Sequence, residues 1–161
     1  QVCNSRLHGL TTVATCKFRY SPAANVQLKV YVVEDNAAIR ENLTGTLEEL
    51  TCVQVVGVAA TEDDGAAWLD RHPGEWDMAI IDLFLKGGSG IGLVQRAVRS
   101  LPHQKLVVFS NYVNPGARKR CAQLGVDAVF DKSTEIDSLV DYCAIQCGRL
   151  EAAQQASQLH T

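Results

Sequence analysis

The fold of this chain is indicated by the stretch Met78-Ala79-Ile80-Ile81-Asp82, a short apolar run that ends on a carboxylate. Three more apolar runs end on side chains that can do chemistry: residues 28–33 lead into Glu34-Asp35, 106–109 into Ser110, and 128–131 into Lys132. If the runs are parallel strands, their carboxyl ends meet at one edge of a sheet, where open α/β sheets bind ligands. The sequence therefore predicts a cleft that holds three carboxylates, a hydroxyl and an ammonium.

Helical patterns alternate with these runs. Helices are predicted over residues 36–50, 64–71, 115–125 and from about 133, and a further helix presents Val94, Ala97, Val98 and Leu101 on one face. Another strand, at residues 53–59, ends without a reactive group. Right-handed crossovers favour an α/β fold with a doubly wound, flavodoxin-like, five-stranded parallel sheet of order 2-1-3-4-5 and helices on both faces. That order puts the strand without a reactive end at the sheet edge.

The totals suit one domain with tails. The chain has 161 residues and a net charge of −3, with no long run of either sign, which argues against a dedicated nucleic-acid or membrane surface. We expect a partly disordered N-terminal extension at 1–27, a domain at 28–150, and a C-terminal tail at 151–161 into which the last helix could continue. The short tail indicates a domain that either stands alone or was cut from a longer protein.

The six cysteines are scattered and mostly occupy apolar positions of the predicted elements: Cys3, Cys16, Cys52, Cys121, Cys143 and Cys147. Disulfide frameworks belong to short secreted domains that are poor in core, and this composition differs from theirs. We therefore expect reduced thiols in a cytosolic protein. The spacing of Cys143 and Cys147 on one helix could place two metal ligands together, but no further ligand lies near, so core filling is favoured.

Three like charges at adjoining strand ends would repel one another, and Glu34, Asp35 and Asp82 are placed in that way. A divalent cation removes the conflict, and hard carboxylate oxygens suit Mg²⁺, which commonly binds together with phosphate oxygens. A carboxylate can also act as a nucleophile and form an aspartyl phosphate, for which Asp82 is the best candidate. Lys132 would neutralise phosphoryl charge and Ser110 would donate a hydrogen bond to it.

At this point the chain resembles a known family over residues 28 to about 148. The matching features are Glu34-Asp35, Asp82-Leu83, a glycine turn at Gly87 to Gly90, then Ser110 and Lys132, in order and each after its strand. This set is similar to that of the receiver domain of bacterial two-component response regulators. Any one feature is weak, but the ordered set is highly specific.

The resemblance implies that Asp82 is the phosphoacceptor for a sensor histidine kinase. It implies Mg²⁺ held by Asp35, Asp82 and the backbone carbonyl of Phe84, with Glu34 on a metal-bound water, while Lys132 and Ser110 read the phosphoryl group. Phosphorylation would switch an output surface made by the fourth helix, fifth strand and fifth helix. The implied partners are that kinase and a downstream output domain or protein, and a homodimer is one form the phosphorylated protein could take. The implied location is the cytoplasm, with no membrane contact and no direct nucleic-acid contact by this chain.

Several positions depart from the family pattern. Val129 stands where the family has its switch aromatic, and strand alternation would point the adjacent Phe130 to the other face. Lys86 and Ser133 stand where prolines are common. Phe84 and Tyr112 occupy the positions that flank the water approach to the phosphoryl group, and because neither can orient water, the aspartyl phosphate is predicted to be long-lived.

Two alternatives to the phosphorylated switch stay open from the sequence. One is a flavodoxin-like domain that binds a flavin or another small ligand where the strand order reverses, and the other is a pseudo-receiver that acts as an interaction module. As an enzyme the chain would catalyse only its own phosphorylation and dephosphorylation. The residues Ser110 and Phe130 to Ser133 also look like those of receivers attached to helix-turn-helix transcription factors, which indicates a role in transcription.

Overall fold

The structure is a computed structural model that describes residues 25–111 and 113–160, so positions 1–24 of the predicted extension lie outside it. Within those ranges strands and helices alternate, five of each. The strands are β1 (Leu28–Val33), β2 (Val53–Ala59), β3 (Met78–Ile81), β4 (Lys105–Ser110) and β5 (Ala128–Asp131). The helices are α1 (Ala37–Leu50), α2 (Glu62–Arg71), α3 (Gly90–Arg96), α4 (Pro115–Gln123) and α5 (Ile136–Gln158). No helix within the described ranges is long and apolar enough to cross a membrane.

The strands form a parallel sheet in the order β2-β1-β3-β4-β5, which confirms the predicted α/β, flavodoxin-like topology. Alternate residues of the central strands face opposite sides, because side chains alternate along a strand. Tyr31 and Ile81 pack in a core under α2, α3 and α4, while Val32 and Ile80 pack in a second core under α1 and α5. Helices therefore cover both faces, which explains the nearly continuous apolar runs.

Side-chain caps start helices α1 to α4 on the side of the sheet where the strands have their carboxyl ends. The oxygen of Asn36 accepts from the amide of Ile39 (3.1 Å), and that of Asn114 accepts from Ala117 (2.8 Å). Thr61 and Ser89 cap α2 and α3 in the same way. Such caps satisfy backbone N–H groups that have no partner within the helix. They fix where these helices begin, beside the edge that holds Glu34, Asp35 and Asp82.

The predicted third helix ends earlier than its apolar spacing indicated. The helix stops at Arg96, and Val98 is 76% exposed rather than packed. The buried side chain of Gln104 explains the difference: its oxygen accepts from the amides of Ser100 and Leu101, and its nitrogen donates to backbone carbonyls. These hydrogen bonds stabilise a turn that competes with the helix. At the other end of the chain α5 continues to Gln158, into the tail segment 151–161 that the sequence allowed the last helix to enter.

A disulfide bond joins Cys52 to Cys147, so the expectation of reduced thiols is wrong for this pair. Cys52 precedes β2 and faces α5, and the two Cα atoms lie 5.9 Å apart, within the range that a disulfide spans. Among the described cysteines Cys121 and Cys143 are free and buried, which agrees with core filling. Burial raises the pKa of the Cys143 thiol to about 12, so it is a poor nucleophile at neutral pH.

The disulfide is expected to contribute substantially to stability, because its partners are 95 positions apart. Closing a loop of that length removes enough chain entropy from the unfolded state to be worth about 4 kcal/mol. Reduction with dithiothreitol should lower the free energy of unfolding in urea by an amount approaching that value, whereas the Cys52→Ala, Cys147→Ala double variant should be insensitive to the reductant. Alkylation of both cysteines by iodoacetamide in denatured, unreduced protein would contradict the bond.

Candidate functional site

Glu34 and Asp82 lie side by side because the ladder of parallel strands continues one residue beyond the apolar runs. The amide of Asp82 donates to the carbonyl of Val33 (3.0 Å), and the amide of Glu34 donates to that of Ala59 (3.0 Å). Both acidic side chains are buried. The sheet therefore holds two carboxylates at adjoining strand ends, at the edge that the sequence predicted.

The carboxylate of Asp82 accepts hydrogen bonds from three sides. Its Oδ1 accepts from the hydroxyl of Ser110 (2.7 Å) and from the backbone amide of Phe84 (3.1 Å), and its Oδ2 accepts from Lys132 Nζ (2.6 Å). Lys132 Nζ also donates to Glu34 Oε2. The Lys132 amide in turn donates to the carbonyl of Ser110 (3.1 Å). The structure thus joins Asp82, Ser110, Lys132 and Glu34 in one network.

Asp35 completes the acidic cluster from a more open position. Its Oδ2 accepts from the backbone amide of Lys86 (2.9 Å), which ties it to the turn after β3. Oxygen atoms of Glu34, Asp35 and Asp82 lie within 4.8 Å of one another. Carboxylate oxygens at this spacing are the donors that Mg²⁺ prefers, so the residues present fit such an ion.

The charges of the cluster do not balance. Burial raises the pKa of Glu34, and the hydrogen bonds that Glu34 accepts from Lys132 and Asn36 only partly oppose this. Burial also acts to lower the pKa of Lys132, but its hydrogen bonds to Asp82 and Glu34 outweigh burial, so the pKa of Lys132 is raised. Three carboxylates face one ammonium, and the site therefore has capacity for further positive charge.

The turn between β3 and α3 is packed against the start of α2. A Cβ atom on Gly90 would lie 2.0 Å from the carbonyl oxygen of Asp82, so only glycine fits there. The amide of Ser89 donates to Glu62 Oε2 (2.7 Å). Sequence reasoning did not single out Glu62, because an acidic residue in the first turn of a helix is ordinary and its partner is 27 positions away. Glu62 therefore anchors the glycine turn at Gly87 to Gly90, which follows Asp82 in the chain.

The remaining predicted positions surround the cluster. The Phe84 side chain is 60% exposed at the mouth of the site. Val129 packs on the α2–α4 side of the sheet, and Phe130 packs on the other side against Tyr142, with ring centroids 5.7 Å apart. The prediction that these two neighbours face opposite sides is confirmed. Tyr112 lies outside the described residues.

Comparison with known proteins identifies the family. The sequence model of the response regulator receiver domain family matches residues 30–144 of this chain. This chain belongs to the response regulator receiver domain family. The match favours the receiver interpretation of the site over the flavin-binding alternative. It also agrees with the order in which the acidic pair, the central aspartate, the hydroxyl and the lysine occur along the chain.

Relatives of this receiver domain include response regulator proteins named VraR. The protein from Staphylococcus aureus is 23% identical over 114 residues, which cover 71% of this chain and 54% of that protein. The protein from Staphylococcus epidermidis is 25% identical, again over 114 residues that cover 71% of this chain and 54% of that protein. The chain therefore spans about half the length of the curated relatives it matches.

Solved structures share the fold of this receiver domain. A LuxR-family two-component response regulator from Aurantimonas superposes with a TM-score of 0.67 at 20% identity, over 84% of this chain and 99% of that one. A CheY-like receiver domain from Methanospirillum hungatei superposes with a TM-score of 0.63 at 22% identity, over 80% of this chain and 99% of that one. The receiver domain of the putative response regulator NarL from Mycobacterium tuberculosis superposes with a TM-score of 0.61 at 27% identity, over 73% of this chain and 96% of that one.

Lys132 is expected to stabilise the fold through the two carboxylates that it bridges. Its side chain is 8% exposed, and those of Glu34 and Asp82 are 3% and 7% exposed. Lys132→Met should lower the free energy of unfolding by about 3 kcal/mol, because it leaves buried carboxylates without a cation. The measurement is urea unfolding in the absence of divalent cations, followed by tryptophan fluorescence.

The matched control is Lys119→Met on the exposed surface of α4, which should change stability little. Adding Glu34→Gln to Lys132→Met should recover part of the loss, since it removes one of the unpaired charges. Equal stability of Lys132→Met and the unmodified chain would show that the ammonium does not hold the cluster together.

Proposed function

We propose that this receiver domain is a phosphorylation-controlled switch of a two-component system, with Asp82 as the phosphoacceptor. The observation that carries the proposal is the network in which a buried Asp82 carboxylate meets both the Ser110 hydroxyl and the Lys132 ammonium beside two further carboxylates. Phosphoryl transfer needs mainly positioning and charge stabilisation, and these residue types supply both. Membership of the family supports the same reading.

In the proposed reaction an Asp82 oxygen attacks the phosphorus atom of a kinase phosphohistidine. The O–P bond forms as the P–N bond breaks, and the imidazole leaves with the electron pair of that bond. Lys132 already lies 2.6 Å from Asp82 Oδ2, so its ammonium can bind a phosphoryl oxygen after a small movement. The Ser110 hydroxyl can turn from Asp82 Oδ1 to donate to another phosphoryl oxygen.

The proposal includes Mg²⁺, which Asp35, Asp82 and the Phe84 carbonyl would hold, with Glu34 contributing through a water molecule. When bound, the ion supplies positive charge that offsets the repulsion between the acidic side chains and the phosphoryl oxygens. Glu34 keeps Lys132 oriented through their mutual hydrogen bond. Phe84 and Tyr112 keep their proposed role of limiting water access, which would make the aspartyl phosphate long-lived.

The proposed output surface consists of α4, β5 and α5, and Arg118 already connects its parts. The Arg118 guanidinium donates to the carbonyl of Val129 (2.9 Å) and to Glu135 Oε2 (2.7 Å), and the same Glu135 oxygen accepts from the amide of Asp131 (2.7 Å). Ser110 ends β4, and β4 pairs with β5. A shift of Ser110 toward a phosphoryl group would therefore also act on β5. Because Val129 is smaller than an aromatic residue, the resulting movement of the output surface should be smaller than is usual for the family.

The proposed partners are a sensor histidine kinase and an output domain or protein, and phosphorylation could bring two copies together through the output surface. Among the matched structures are response regulators of the LuxR family, one of them described as DNA-binding. We therefore propose control of transcription, with DNA contacted by the output partner and not by this domain. The cytoplasm is the proposed location, and membership of the receiver domain family supports it.

Acetyl phosphate with Mg²⁺ should add the mass of one phosphoryl group to the chain. Asp82→Asn should abolish the addition, because an amide cannot attack phosphorus as a carboxylate does. Asp70→Asn, which changes an exposed carboxylate on α2, is the matched control and should be labelled like the unmodified chain. Intact-protein mass spectrometry reads the result, and full labelling of Asp82→Asn would refute the assignment.

Asp35→Asn should weaken the binding of Mg²⁺ at least about tenfold, a loss that even outer-shell partners of metal sites can cause. Isothermal titration calorimetry with MgCl₂ measures the affinity. Glu41→Gln, an exposed substitution on α1, serves as the control and should leave it unchanged. If Asp35→Asn binds Mg²⁺ as tightly as the unmodified chain, Asp35 is not a ligand.

Beryllofluoride, an analogue of the phosphoryl group, should change amide hydrogen exchange in α4, β5 and the first turns of α5. The reason is that these elements meet at Arg118 and adjoin Ser110. Asp82→Ala, which cannot hold the analogue, should show no change. Exchange differences confined to α1 and α2 would place the output surface elsewhere.

A further inference from the structure

A cavity of about 330 Å³ opens at the edge of the sheet opposite to Asp82. The amino ends of β1, β3 and β4 form its base, and the second half of α5 forms one wall. The cavity exists because α5 runs on to Gln158 and so covers strand ends that a shorter helix would leave open. Its volume is at the lower end of the range for small-molecule sites.

The inner surface of this cavity is apolar. Leu28 and Met78 lie at its base and are buried, and Leu150 and Ala153 face them from α5. Apolar atoms that line a concave surface gain free energy when they contact another apolar body in place of water. The inner part therefore suits a hydrocarbon chain or ring.

The rim carries two cationic side chains that form no ion pair with a described carboxylate. Lys105 and Arg149 line the cavity, and within the described residues neither side chain has an ion-pair partner. The acidic residue at the rim, Asp77, is already engaged, because its Oδ2 accepts from the amide of Lys29 (2.8 Å) and its Oδ1 lies 2.8 Å from His103 Nε2. The rim thus favours an anion over a cation.

Gln146 places a hydrogen-bonding group on the wall of the cavity. Its side chain lines the cavity and is only 8% exposed, yet its amide has no hydrogen-bond partner in the described parts of the chain. Its polar atoms are open to the cavity, because Gln146 is not among the described residues whose fully buried side-chain polar atoms lack a partner. Water would satisfy the amide when the cavity is empty. A polar group of a bound molecule could supply the partner.

We infer that this cavity binds a small amphipathic anion, a molecule with an apolar body of about eight carbons and a carboxylate head. The apolar body would contact Met78 and Leu150, and the head would meet Lys105, Arg149 and the amide of Gln146. The site is separate from the phosphoacceptor cluster, so the groups that would bind the ligand take no direct part in phosphorylation. It would couple a metabolite to the position of α5.

Octanoate is a suitable probe, and 1-octanol is its uncharged counterpart. Titration of octanoate into the full ¹⁵N-labelled chain should give saturable amide shifts at Met78, Lys105 and Gln146. An affinity of about 0.1–1 mM is expected from the size of the ligand. Octanol should bind at least about fivefold more weakly, because it lacks the charge that the rim recognises.

The Lys105→Gln, Arg149→Gln double variant should bind octanoate no better than octanol, and Gln146→Leu should also weaken octanoate. Lys119→Gln on α4 is the matched control and should bind as the unmodified chain does. Phosphorylation of each variant by acetyl phosphate verifies folding and tests the phosphoacceptor site separately. Absence of saturation below about 10 mM, equal affinity for octanol, or shifts that map away from the cavity would overturn the inference.

Discussion

The bridge from Lys132 to Glu34 and Asp82 is the interaction on which the site depends. Two buried carboxylates on neighbouring strands would repel each other strongly, and the ammonium between them makes their proximity tolerable. Because Lys132 follows β5, the bridge connects one side of the sheet to its centre across β4. The stability of the fold and the arrangement of the site therefore depend on the same three side chains.

Much of the fold and most of the candidate site could be predicted from the sequence. Strand positions followed from buried apolar runs, and the strand order followed from right-handed crossovers, with which the placement of the reactive strand ends agrees. Val129 and Phe130 could be assigned to opposite faces because strand periodicity is strict. Asp82, Ser110 and Lys132 were placed together by topology, since the carboxyl ends of parallel strands share one edge.

What could not be predicted depended on contacts between distant positions. The spacing of Val98 and Leu101 indicated a helix, but the buried Gln104 draws that segment into a turn through hydrogen bonds that no periodicity encodes. The partner of Cys147 on α5 stands 95 positions away, and composition argued against any disulfide. Glu62 was missed for the same reason, because its role appears only when the glycine turn is folded against α2.

The bond between Cys52 and Cys147 also changes the topology of the molecule. It closes a covalent ring that runs from β2 through the first half of α5 and includes Asp82, Ser110 and Lys132, whereas Glu34 and Asp35 lie on the arm outside it. A protease that cuts once within the ring would leave two fragments that stay joined and migrate as one species without reductant. A loss of function after such a cut would therefore reflect a broken contact, not the departure of a segment.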